Sequence, residues 1–152
     1  MKSKIDFKRK IFFKDLTFYE FNKNKSFQDL RGLILFPSGP GLSSILGDLE
    51  YYNSLKKADI NFLDSGLFCL LLSIRCMKWI RKCSAYEFYQ IFLKHLATIN
   101  KKIFLVEPNH EVEKLNKDFL LGINKSLIIS QYVAPDYSSD CITDSLLLRK
   151  IK

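Results

Sequence analysis

Ala58-Asp59-Ile60-Asn61-Phe62-Leu63-Asp64-Ser65-Gly66 is the stretch on which the fold turns. Its apolar middle reads as a short buried strand, and Asp64-Ser65-Gly66 reads as a tight turn into a helix. Open α/β sheets place their chemistry at such strand ends, where a carboxylate faces a ligand crevice while the strand behind it holds it rigid. Asp64 is therefore the candidate catalytic residue. Aspartate is also a favoured N-cap, so the same side chain can simply begin the helix from Ser65, and the two roles are compatible.

Working outward, strand and helix patterns alternate. Gly32-Leu33-Ile34-Leu35-Phe36 reads as a buried strand stopped by the loop Pro37-Ser38-Gly39-Pro40-Gly41. Leu42, Ile45, Leu46, Leu49, Tyr52 and Leu55 keep helical spacing, predicting one helix over residues 42–57. After Asp64, a buried helix is expected over 65–77 and another over 84–99. A third strand follows at 103–106, a helix at 109–121 stopped by Gly122, a fourth strand at 127–129 and a last helix from 140. Ahead of the main sheet, Lys10-Ile11-Phe12-Phe13 and Leu16-Thr17-Phe18-Tyr19-Glu20-Phe21 predict a small strand or hairpin, with a short helix near 22–28. Strands separated by helices of this length imply parallel pairing. The expected fold is thus α/β, a Rossmann-like doubly wound, mainly parallel sheet with helices on both faces, as a single domain over residues 1–152.

Composition bounds the rest. The 152 residues are 47% hydrophobic, with thirteen Phe and seven Tyr, enough for a sizeable core. The net charge of +8 favours anionic partners, and Lys2, Lys4, Lys8, Arg9, Lys10 and Lys14 crowd the start. A parallel excess of Asn, Ile and Phe gives the lysines a purely compositional source as well. Nucleic-acid binding needs clustered Arg and exposed aromatics, whereas the aromatics here follow core periodicity, so no nucleic acid is expected. The four cysteines, Cys69, Cys76, Cys83 and Cys141, lack zinc spacing and have only His95 and His110 beside them. They read as reduced thiols of a cytoplasmic protein, Cys69 and Cys76 as buried residues on one helix face. His95 and His110 read as structural, the latter at a helix start. No secretory leader is recognisable, and the longest apolar run, residues 67–74, is far short of the roughly 20 needed to span a bilayer.

The order of these elements resembles the WecG/TagA/CpsF family of bacterial glycosyltransferases, over most of the chain from about residue 10. Leu55-Lys56-Lys57-Ala58-Asp59, leading to Asp64-Ser65-Gly66, is similar to the family's leucine, two residues, alanine-aspartate run before an aspartate-glycine turn. Arg81-Lys82-Cys83-Ser84 resembles its arginine before a small-residue turn, and Tyr132-Val133-Ala134-Pro135-Asp136-Tyr137 its aromatic-proline loop. The chain departs from the pattern where it has Pro37-Ser38-Gly39 in place of threonine and asparagine, and Glu107-Pro108-Asn109 in place of a glycine-rich loop. It is also short of the family's final strand, glutamine-glutamate motif and membrane-targeting tail.

The resemblance implies inverting transfer of an N-acetylhexosamine-type sugar from a UDP donor to a polyprenyl-diphosphate-linked saccharide, as in cell-wall teichoic acid or exopolysaccharide synthesis. No metal or other cofactor is expected. Asp64 takes the place of the family's base. Arg81 and the N–H groups around Ser38, Gly39 and Gly41 are candidates to hold the diphosphate. Asp136 and Tyr137, after the fourth strand, are candidates for sugar or uracil contact. The implied partners are the UDP-sugar, the lipid-linked acceptor, an anionic membrane surface and a second copy of the chain, with a location in the cytoplasm, peripheral on the inner membrane face. The rival reading is a catalytically silent remnant of the fold that still binds nucleotide-sugar.

Overall fold

A computed structural model of the chain describes residues 9–21, 30–45, 47–137 and 143–151. The lysines at 2, 4 and 8, the short helix expected near 22–28, Cys141 and the beginning of the last expected helix lie outside the described residues. The architecture is mixed α/β, with small parallel sheets and helices. It divides into two compact units, residues 1–92 and 93–152.

The first unit opens with the hairpin β1 (Arg9–Phe13) and β2 (Leu16–Glu20), paired antiparallel with Phe13 opposite Leu16. Lys14 in the connecting turn takes a left-handed φ of 52°. Alternation decides the hairpin's faces: Leu16, Phe18 and Glu20 are buried while Thr17 and Tyr19 are partly covered. β3 (Ile34–Leu35) then pairs in parallel with β4 (Ile60–Asn61), Ile34 opposite Ile60. Two isolated parallel bridges extend the arrangement, Tyr19 with Phe62 and Ser38 with Asp64. Ile60, Asn61, Phe62 and Leu63 are all buried, the mark of a strand covered on both faces. Phe62 is enclosed by the rings of Phe21, Phe36 and Phe88, with centroids 5.4–5.7 Å away.

The helix expected over 42–57 is two helices, α1 (Gly39–Ser43) and α2 (Leu49–Lys57). The hydroxyls of Ser43 and Ser44 turn back onto the Pro40 carbonyl, and the Asp48 carboxylate accepts the Tyr51 N–H at 2.8 Å, starting α2 afresh. Such local bonds compete with helix propagation, and Gly47 offers little to resist them. The loop expected at 37–41 therefore already holds the first turn of α1.

α3 (Gly66–Cys76) is capped by Ser65, whose hydroxyl accepts the Phe68 N–H at 3.3 Å, and ends at Met77 in the left-handed conformation, φ 50°. It is not the buried helix that its composition predicts. Only Cys69, Leu72 and Ser73 are buried, and Leu67, Leu70, Leu71 and Ile74 face outward. Cys76 is exposed too, because the helix outruns the core at its last turn. Cys83 is buried beyond the helix end. α4 (Ala85–Leu96) spans the division between the units.

In the second unit, β5 (Lys102–Glu107), α5 (His110–Ile123) and β6 (Ile128–Val133) form a β-α-β sequence, the strands parallel with Lys102 opposite Ile128 and Glu107 opposite Val133. α5 runs through Gly122, which was expected to stop it. Asn124 ends the helix instead, its side-chain amide donating to the carbonyls of Leu96 and Ile99 at 3.0 and 2.9 Å while its side-chain oxygen accepts the Ser126 N–H. With the Ser126 hydroxyl also donating to that oxygen, four bonds to one side chain outweigh glycine's conformational freedom. α6 (Ser145–Ile151) follows. Among the described residues the strands pair in twos, and no helix is long and apolar enough to cross a membrane.

Candidate functional site

Asp64 sits at the carboxyl end of β4, its N–H bonded to the Pro37 carbonyl at 3.1 Å. The segment after α3 returns beside it through a bond from the Cys83 N–H to the Leu63 carbonyl, 2.8 Å. This return brings Lys82 and Ala85 onto the carboxylate. Lys82 Nζ lies 3.1 Å from Asp64 Oδ1, and the Ala85 N–H donates to Oδ2 at 3.0 Å. Asp64 is thus a cap, though not of the helix that directly follows it: Ser65 caps α3, and Asp64 caps the start of α4, 21 residues on.

Beside this pair opens a groove of about 440 Å³, whose lining includes Gly66, Leu70, Trp79, Arg81, Lys82 and Ser84. Arg81 Nη2 lies 3.5 Å from Glu87 Oε1 across its mouth, with the guanidinium more than half exposed. Two cations therefore line the groove, each paired with its own carboxylate, Lys82 with Asp64 and Arg81 with Glu87, which lines the groove as well. Cys69 forms part of the groove floor. Burial pushes its thiol up, Lys82 opposes, and the Asp64 and Glu20 carboxylates push it up further. It stays a neutral thiol at ordinary pH and offers no thiolate nucleophile.

The other predicted residues fall in two places. Ser38 is the N-cap of α1 and pairs its backbone with that of Asp64, yet its hydroxyl makes no cap bond and is exposed. Gly39 and Gly41 lie within α1, a helix of five residues in which Pro40 contributes no N–H. A Cβ on Gly41 would sit 2.6 Å from the Tyr51 hydroxyl, so a side chain there would push that ring aside. The structure therefore brings Asp64, Ser38 and Arg81 into one unit, with Arg81 in the groove.

Asp136 and Tyr137 belong to the second unit. Asp136 is exposed. Tyr137 and Tyr132 both donate to Asp144 Oδ2, at 2.6 and 2.8 Å, while Asp144 Oδ1 accepts the Leu147 N–H and caps α6. The hydrogen bond to Asp144 pushes the Tyr137 hydroxyl up to about 12. Asp144 is held below the usual carboxylate range, first by the Leu147 N–H and then by Tyr137. Tyr137 therefore ties the loop after β6 to α6. His110 lies at the start of α5, 2.9 Å from Glu113, as expected.

Sequence reasoning missed Lys82 and Ala85. Lys82 stood next to Arg81, and a paired basic dipeptide two positions before a helix start was the available signal. Ala85 carries none, since it acts through its backbone. Among the described residues, no three His, Cys, Asp or Glu side chains converge as a metal site. No protein-family model, curated protein or solved structure matches the chain.

Proposed function

We propose that the chain is a Rossmann-like, doubly wound glycosyltransferase domain resembling the WecG/TagA/CpsF enzymes, which moves an N-acetylhexosamine-type sugar from UDP to a lipid-linked diphosphate saccharide. The observation that carries this reading is the Asp64 carboxylate at a strand end, beside a groove lined by Arg81 and Lys82. An acceptor hydroxyl attacks the anomeric carbon, its proton passes to Asp64, and the bond from that carbon to the diphosphate oxygen breaks, releasing UDP. Arg81 and Lys82 balance the charge that develops on the departing diphosphate.

Lys82 links the two halves of the step. Its ammonium pairs with Asp64. Drawn onto the diphosphate, it leaves Oδ1 available to the acceptor hydroxyl, while the Ala85 N–H keeps Oδ2 in place. Donor binding then precedes base release, which guards the sugar against transfer to water.

A second reading has its own support: both oxygens of Asp64 are engaged within the protein. A binding module that has kept the fold and lost transfer would use Asp64 only as cap and ion-pair partner. Calorimetric titration with UDP and UDP-N-acetylhexosamines, with UMP and ATP as controls, tests both. Selective UDP binding together with transfer that Asp64→Asn abolishes supports the enzyme. Binding without transfer supports the module, and no binding to the folded chain overturns both.

A further inference from the structure

α3 is apolar apart from Ser73 and Arg75, a composition that suits either a buried helix or one at a lipid boundary. Its inner side meets the core through Phe68, Cys69 and Leu72, with Phe68 edge-on to Phe13 at 5.1 Å. The outer side is a continuous stripe. Leu67 is 69% exposed, Leu71 54% and Ile74 64%, and just past the helix end Met77 is 87% and Trp79 76% exposed. At about 100° per residue, Leu67, Leu70, Leu71 and Ile74 fall within about 100° of arc on one helix face. Isolated exposed apolar side chains are ordinary on protein surfaces, but a contiguous set of this size marks an interaction face.

The charge around the stripe identifies its occupant. Between Asp64 and Glu87 the sequence holds no acidic residue, while Arg75, Lys78, Arg81 and Lys82 are basic. All four are exposed. Arg75 flanks the stripe, its guanidinium 5.9 Å from the centre of the Phe13 ring. Two copies of the chain meeting stripe to stripe would bring these like charges together. The stripe is also a convex helix face, which suits a deformable surface better than a partner's ridge. Trp beside a basic, apolar helix face is the composition of helices lying in the headgroup layer of a bilayer.

We infer that α3, with Met77 and Trp79, is an interfacial docking face that seats this chain on an anionic lipid surface. Leu67, Leu71 and Ile74 enter the acyl boundary, and Arg75 and Lys78, which lie outside the groove lining, contact lipid phosphates. The face serves the proposed acceptor chemistry and rests on that reading for its purpose, while the docking itself needs only α3 and its charges. The groove with Arg81 and Lys82 then opens at headgroup level, where a lipid-linked diphosphate presents itself.

Trp79 is the chain's only tryptophan and reports directly on the face. With phosphatidylcholine vesicles containing phosphatidylglycerol, its emission should shift to shorter wavelength and the protein should sediment with the lipid. Binding should weaken at least about tenfold on pure phosphatidylcholine and fall with added salt. The triple variant Leu67→Gln, Leu71→Gln, Ile74→Gln alters only exposed side chains outside the groove. It should keep its circular dichroism and lose vesicle binding by about tenfold or more. Three results overturn the inference: no emission shift or co-sedimentation; undiminished vesicle binding by the triple variant; or a dimer, seen by analytical ultracentrifugation and broken by that variant, that forms without any affinity for vesicles. Calorimetric binding of UDP is read independently, so failure of the lipid face and failure of the donor site remain distinct.

Discussion

The ammonium of Lys82 lies 3.1 Å from the carboxylate of Asp64, with the lysine side chain 47% exposed and the aspartate 18% exposed. The anion is thus sheltered at a strand end, while its cation stands in solvent and is free to turn toward a ligand. Lysine suits this, since it is a point charge on a flexible stem and not a fixed fork.

Replacing Asp64 separates its two roles. Asparagine caps helices as well as aspartate, so Asp64→Asn keeps an acceptor for the Ala85 N–H and should unfold within about 0.5 kcal/mol of wild type. Asp64→Ala removes the cap and should lose about 1–2 kcal/mol in urea unfolding. Transfer, in contrast, should vanish in both, because neither side chain accepts a proton. Equal activity in wild type and Asp64→Asn would remove Asp64 from the chemistry and leave it a cap.

Lys82→Gln and Arg81→Gln address the cations. Both side chains are about half exposed, so their ion pairs with Asp64 and Glu87 are worth at most about 1 kcal/mol and neither variant should unfold. Each should weaken UDP binding by roughly tenfold, the loss of a charge-assisted contact to phosphate. Wild-type affinity should fall as salt rises, and the double variant should show a flatter salt dependence. A salt-independent, unchanged affinity in the double variant would place the donor elsewhere.

Much of the local structure was legible in sequence, and the reasons differ by element. Ile103-Phe104-Leu105-Val106 and Leu127-Ile128-Ile129, separated by an amphipathic span, gave the parallel pair and its helix, because a short apolar run between polar turns has few other solutions. The break between α1 and α2 was hidden, since the spacing of Leu42, Ile45 and Leu49 is satisfied on both sides of it and only the serine and Asp48 hydrogen bonds decide. The outward face of α3 was equally hidden: with Ser73 and Arg75 its only polar side chains, the helix does not say which side is covered. Asp64 was found from its place after a strand. Its partners were not, because Ala85 contributes only a backbone N–H and Lys82 reaches it through tertiary folding.

Gly32 should be among the most sensitive positions of the first unit. Its φ of +95° is a conformation that side chains rarely adopt, and a Cβ there would sit 2.1 Å from Asp59 Oδ2. That oxygen accepts the Leu33 N–H at 2.8 Å, just before β3. Gly32→Ala must displace the carboxylate, give up this bond and strain the backbone, together about 2–3 kcal/mol in denaturant unfolding. In an Asp59→Ala background the clash and the bond are already gone, so the same glycine substitution should lose only the strain, about 1 kcal/mol. Full additivity of the two changes would show that Asp59 is not what Gly32 accommodates.

The Tyr137–Asp144 bond makes the end of the second unit sensitive to pH at both extremes. Tyr137 ionises near 10.0 when free and at about 12 in the folded chain, so the folded state holds its proton more tightly. The stabilisation is therefore complete below pH 10 and is lost as pH rises from there through about 12. Asp144 is shifted the other way: its contribution is present above the free value of 3.8 and disappears as pH falls below it. Tyr132 is pushed up by its own bond to Asp144, so absorbance titration of tyrosinate should show one late-ionising hydroxyl fewer in Tyr137→Phe than in wild type. Hydrogen exchange of the α6 amides in that variant should be faster than in wild type at neutral pH. If Tyr137→Phe leaves both the alkaline titration and α6 exchange unchanged, the hydroxyl does not hold the loop to α6, and Tyr137 returns to the candidates for ligand contact.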